Sequence, residues 1–240
     1  MKQTTITYVA IFLFSLSFGY GQGTSEFFSK ADTFFKSYVN NGRVAYATIE
    51  KDPSLLNELI ALAAGISVSK TDVAEYQAFW INGYNLSVIK GVVDNYPLKS
   101  PLDKPGFFDK TEYAIGGQHI TLNNIENKLL RANFPNESRF HFVLVCAGLG
   151  CPPIINEAYL PSTLEAQLET QTKLALNDPK FIRVGKNKVG ISQIFEWYNG
   201  DFTKDGKSLV AYINQYRTEK LPEKAKTSYY SYNWTLNETK

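Results

Sequence analysis

Helical and strand-like patterns alternate along the whole chain, without an internal repeat or a low-complexity linker. This alternation points to an α+β fold. Its 240 residues, 44% hydrophobic and 14% aromatic, supply enough apolar surface for a sizeable core and exclude a disordered chain. At roughly 150 residues per domain the chain is one domain or two small ones, and the unbroken pattern favours one. Lys plus Arg number 25 against 23 Asp plus Glu, and the basic residues are scattered. A balance of +2 gives no electrostatic footprint for nucleic acid or an acidic membrane surface.

The first residues read as a leader. Met1-Lys2 gives a short positive start, Thr7 to Phe18 is mostly apolar, and Gly19, Gly21 and Gly23 follow. This predicts a signal peptide over residues 1–21, too short to span a bilayer, and a mature chain 22–240 that is periplasmic or secreted. No membrane partner is expected after cleavage.

Past the leader, Phe27, Phe28, Ala31, Phe34, Phe35, Tyr38 and Val39 recur at helical spacing and open an N-terminal helical layer. Asp52-Pro53 starts a second helix that ends at Gly65. A long helix runs from about Ser69 to Asp94, with Pro97 barring its continuation. Glu112 to Ile115 and His119 to Leu122 flank Gly116-Gly117 and predict a hairpin. Thr121 or Asn123 then caps a helix carrying Ile125, Leu129 and Leu130. Phe140 to Val145 reads as a buried strand, and Ser162 with Glu165 as a capping box. Phe181 to Val184 and Lys188 to Ile191 bracket a turn, and Ser192 starts a short helix. Leu209 to Tyr216 reads as the last helix and Tyr229 to Leu236 as a terminal strand.

Five ordered blocks carry a family resemblance. They are Ala78-Phe-Trp-Ile-Asn-Gly-Tyr-Asn85, Ile120-Thr-Leu-Asn-Asn-Ile-Glu126, Arg139-Phe-His-Phe-Val-Leu-Val-Cys146, Cys151-Pro152 and Ile194-Phe-Glu-Trp-Tyr-Asn-Gly-Asp-Phe202. Together, over about residues 74–237, they resemble the domain-of-unknown-function family 547. The resemblance implies a cysteine-proteinase-like fold, similar to papain-like and transglutaminase-like hydrolases with a rearranged strand order, and a Cys-His-Glu catalytic set. Where that family often has His, this chain has Asn127.

The residues themselves supply two cysteines and two histidines. A thiol nucleophile needs a base and a third group that orients the base. His141 sits where a rigid element can aim it, whereas His119 beside a hairpin turn reads as a surface residue. By itself Glu126 reads as a solvated helix glutamate, and its place in the Ile120–Glu126 block is what makes it, by the resemblance, the candidate third group. If residues 141–146 were extended at ~3.3 Å each, Cys146 would lie roughly 16 Å from His141. Ala147 to Gly150 can then double back and bring Cys151 close. Pro152 suits a first helical position, and a cysteine at a helix N-terminus has a lowered pKa. Cys151 is therefore the first choice of nucleophile and Cys146 the alternative, and a disulfide between the two stays open. Asn82 and Asn85, three apart on one helical face, are candidate substrate-binding amides, with the capping of a neighbouring loop as the competing role.

The ligand count for a zinc site is short, and no phosphate loop or Gly-x-Ser-x-Gly elbow occurs, so neither metal nor cofactor is expected. Two functions compete. One is an exported cysteine peptidase cutting an amide bond in a small peptide or peptide-like thiol, glutathione-like molecules among the candidates. The other is a non-catalytic domain on the same fold that binds a peptide or a cell-envelope component.

Overall fold

The computed structural model describes residues 14–186 and 188–240. The expected leader lies largely outside the described residues. The elements in chain order are α1 (Phe14–Tyr38), β1 (Val39–Asn40), β2 (Arg43–Val44), α2 (Tyr46–Lys51), α3 (Ser54–Ala64) and α4 (Val73–Val93). The hairpin of β3 (Glu112–Ile115) and β4 (Gln118–Thr121) follows, then α5 (Leu122–Asn124), which runs into a π-helical stretch, Ile125–Arg131. The C-terminal part holds α6 (Leu164–Asn177), β5 (Ile182–Val184), β6 (Val189–Ser192), α7 (Ile194–Trp197), α8 (Asn199–Phe202), α9 (Leu209–Tyr216) and β7 (Thr227–Tyr230). Sheets are small: β1 pairs with β2 and β3 with β4, while β6 lies between antiparallel β5 and parallel β7. The architecture is mixed α+β, and no helix among the described residues is long and apolar enough to cross a membrane.

Two hydrophobic clusters organise the fold. The first packs Phe27, Phe34 and Phe35 of α1 and Leu56 and Leu59 of α3 around α4, with Phe79 in contact with Phe27. The N-terminal helical layer is thus present, and each fully buried Phe or Leu contributes about 1.5–3 kcal/mol. The second gathers Phe142, Phe195, Phe202, Ile191 and Ile213. Seventeen of the 21 residues of α4 are buried, so it is a core helix whose polar side chains must find partners inside. Asp72 caps its start by accepting from the Glu75 amide, which moves the helix start from the expected Ser69 to Val73.

Several sequence expectations are corrected. Phe140 to Val145 is not a strand: Ser138–Phe142 is a 3-10 helix, and the chain then runs irregularly along the seam between the clusters. A short apolar run does not distinguish a strand from any other buried segment, and here the backbone finds side-chain partners instead of a strand neighbour. Ser162 and Glu165 form no capping box. The N-cap of α6 is Thr163 without a side-chain bond, and Glu165 is held by Arg139 through Nη1 (2.6 Å) and Nη2 (2.9 Å). The terminal strand ends at Tyr230, because residues 233–237 pair with the cysteine loop instead of continuing the sheet.

Candidate active site

Tertiary contacts fix the loop between the cysteines. The amides of Leu149 and Gly150 donate to the carbonyls of Thr235 and Asn233 (both 2.8 Å), and the Asn237 amide donates to the Ala147 carbonyl (2.8 Å). This last bond holds Ala147 at φ 61°, a left-handed conformation that costs a non-glycine residue roughly 1–2 kcal/mol. A Cβ on Gly150 would lie 2.8 Å from the Asn233 nitrogen and 2.9 Å from the Tyr232 ring, so only glycine allows this approach.

Upstream, α4 clamps the chain. Asn85 Nδ2 donates to the Val143 carbonyl and the Val145 amide donates to Asn85 Oδ1, both at 2.9 Å. Asn82 Nδ2 donates to the carbonyls of Tyr159 (2.7 Å) and Ala78 (2.8 Å), and the Tyr159 amide donates to Asn82 Oδ1 (3.0 Å). Both asparagines are buried and their amides are spent on backbone. They hold the segments flanking the site, which is the loop-capping arrangement.

Cys146 and Cys151 are joined as a disulfide with Cα atoms 6.4 Å apart. The Cys146 amide donates to Cys151 Sγ (2.9 Å), and the Tyr232 hydroxyl donates to Cys151 Sγ (2.8 Å) and also meets Cys146 Sγ (2.8 Å). Burial pushes the Tyr232 phenol far up, helped by neighbouring Tyr198, so it stays neutral and able to donate. Cys151 does not start a helix. Residues 152–160 are irregular and the next helix begins at Leu164, so the expected helix N-terminus is not at Cys151.

His141, on the 3-10 helix, is 6% exposed, stacks on Tyr198 (ring centroids 4.1 Å apart) and places Nε2 2.8 Å from Asp201 Oδ2. Arg131 Nε donates to the same oxygen (2.8 Å). His141 first, and Arg131 after it, hold the Asp201 carboxyl well below the usual carboxylate range against the opposing effect of burial. An ionised carboxylate only accepts, so His141 Nε2 carries a proton and donates to Asp201. The carboxylate hydrogen-bonded to His141 is thus Asp201 rather than the expected Glu126. Glu126 lies on the π-helical stretch beside Tyr198, whose phenol is pushed up by burial and then by this carboxylate.

A cavity of about 80 Å³ brings Glu126, His141, Cys146 and Cys151 together, walled by Trp197 and Trp234. The long extended reach between His141 and Cys146 therefore does not apply, since a 3-10 turn shortens it. His119 is exposed on β4, as expected. Among the described residues no group of three or more His, Cys, Asp or Glu side chains could hold a metal ion. Sequence reasoning missed Asp201 and Tyr232 as site residues. Asp201 stands in the Ile194–Phe202 block and Tyr232 in the C-terminal stretch that the resemblance spans, but nothing in their spacing tells a site residue from an aromatic core.

No match was found among curated proteins or among solved structures. A family match over residues 68–174 contains Asn82, Asn85, Glu126, His141 and both cysteines, while Asp201 and Tyr232 lie beyond it. Residues 68–174 match the family described as "Protein of unknown function, DUF547".

Proposed function

We propose that the protein is a thiol hydrolase acting outside the cytoplasm on an amide bond of a small peptide or peptide-like molecule. Cys151 is its nucleophile, His141 its base and Asp201 the group that orients the base. The observation that carries this reading is the shared cavity, with an imidazole fixed by a carboxylate on one side and a sulfur receiving two hydrogen bonds on the other. Those two bonds favour negative charge on Cys151, the requirement for a reactive thiolate. The likeness to papain-like and transglutaminase-like hydrolases belongs to this proposal, as does export.

The disulfide must open first. A dithiol reductant supplies two electrons and two protons, leaving as its own disulfide while Cys146 and Cys151 become thiols. His141 Nδ1 takes the Cys151 proton, and the thiolate adds to the carbonyl. The imidazolium gives its proton to the leaving amine, and water cleaves the thioester with His141 as base. Cys146 contributes its backbone amide and, when oxidised, blocks the nucleophile. Glu126 shapes the cavity through Tyr198.

The disulfide also favours a second reading, a non-catalytic domain that binds a peptide or envelope component in its aromatic cleft. Thiol reactivity separates the two. In the reduced protein at pH 7, iodoacetamide should label one thiol fast, and Cys151→Ala should abolish both that label and hydrolysis of a peptide panel read by mass spectrometry. Cys146→Ala should preserve both. Slow labelling of both reduced thiols would remove the enzyme reading, and the binding domain would then lead.

A further inference from the structure

Cys151 faces two spaces. Behind it lies the His141 cavity, and in front lies an open groove of about 410 Å³. Three elements far apart in sequence bring cations to this groove. Arg43 comes from the β1–β2 hairpin, whose Asn41-Gly42 turn (φ 49° and 74°) seats against Pro153. A Cβ on Gly42 would meet the Pro153 Cβ at 2.5 Å, so the glycine serves both the turn and the contact that sets Arg43 at the groove. Lys180 and Arg183 come from the segment that leaves α6 and enters β5, and both are exposed.

The two guanidinium groups are held by neutral partners. Arg43 Nη1 donates to the Glu238 carbonyl (3.0 Å), and Arg183 Nε donates to the Lys180 carbonyl (3.1 Å). The Arg183 guanidinium lies over the Tyr230 ring at 3.5 Å, which fixes its orientation without neutralising it. Among the described residues the ion pairs are made by other cations, Arg131 and Arg139 among them. The one carboxylate lining the groove, Asp178, accepts from the Lys180 amide (2.8 Å) within its own turn. Cys151 therefore separates an inner cavity bearing Glu126 from a front groove that sets Arg43, Lys180 and Arg183 against one carboxylate, Asp178.

We infer that this groove takes the anionic part of a peptide ligand, so that the substrate carries a carboxylate, from an acidic side chain or a free C-terminus, on the groove side of Cys151. The inference rests on the proposed function for the word substrate, but the binding preference does not need catalysis. Fixed cations beside a low-dielectric wall raise the local concentration of anions, and guanidinium forks match a carboxylate in geometry.

The oxidised protein has no free thiol, so binding is measurable without turnover. The probes are fluorescent alanine-based hexapeptides carrying Glu or Gln at each position in turn, plus free-acid and amidated C-termini. At low salt the best Glu or free-acid peptide should bind about tenfold tighter than its neutral twin, at about two- to fivefold per cation. Arg43→Gln, Lys180→Gln and Arg183→Gln should each reduce that ratio, and exposed Lys110→Gln, outside the groove, should not. In 1 M salt, where screening acts over about 3 Å, the ratio should approach one. Equal binding of charged and neutral twins, or no binding by any peptide, overturns the inference. Charge-selective binding without hydrolysis by the reduced protein would sink the enzyme reading and keep this one. Hydrolysis with no charge preference would do the opposite.

Discussion

Replacing Asn85 by Ala tests the clamp that sets the whole site. Asn85 is 2% exposed, and its amide satisfies the Val143 carbonyl and the Val145 amide at 2.9 Å each. Val143 and Val145 are themselves buried, and their segment has no strand neighbour to take over these groups. Leaving a buried backbone group unsatisfied costs about 1–3 kcal/mol, so the two together predict a loss of about 2–6 kcal/mol. Against a total of about 5–15 kcal/mol this is a large fraction, and at roughly 2–4 °C per kcal/mol for a chain of this size it should be plain in Tm. Asn85→Asp should do no better, since it keeps an acceptor for Val145 but loses the donor to Val143 and buries a charge. Urea unfolding of the oxidised protein measures the effect, with exposed Asn123→Ala as the control expected within about 0.5 kcal/mol of the parent. A loss below about 1 kcal/mol for Asn85→Ala would refute the clamp, because the freed groups would then have found other partners.

Two further tests address the charge pair and the loop. Asp201 has its pKa depressed in the folded state, so its stabilisation is present above the ordinary carboxylate pKa and is lost as pH falls through the acid range toward the depressed value. The stability gap between the parent and Asp201→Asn should therefore be larger at about pH 5 than at about pH 3, and an equal gap in urea unfolding at both would contradict the pairing. Gly150→Ala should push the Asn233 backbone and the Tyr232 ring off the cysteine loop at a cost of about 1–3 kcal/mol. Hydrogen exchange should quicken at the Leu149 and Gly150 amides, and unchanged protection there would mean that the tail does not hold the loop.

Local signals were readable where one segment suffices to satisfy itself. The Phe27 to Val39 spacing gives α1, Gly65 ends α3, Thr121 caps α5 through the Asn124 amide, and Gly116-Gly117 turns the β3–β4 hairpin. The Asn41-Gly42 hairpin carried an equally local signal, between Val39 and Val44, that the sequence reading left unused. Reading failed at Phe140 to Val145 and at Pro152, where the pattern suited more than one conformation and a distant partner chose among them.

The candidate site divides the same way. Residue type alone nominated His141, Cys146 and Cys151, because only thiols and imidazoles supply that nucleophile and base, and the chain has two of each. Which carboxylate serves His141 was decided by the packing of α8 against the seam, which delivers Asp201 from 60 residues away. The sulfur environment was decided by the C-terminal tail, which brings Tyr232 from 81 residues beyond Cys151. The amino-acid sequence determined the local elements and the chemical inventory, since both follow from side chains acting within a few residues. Only the tertiary structure decided the partners, because the free energy of a buried hydrogen bond depends on which distant groups are left without water.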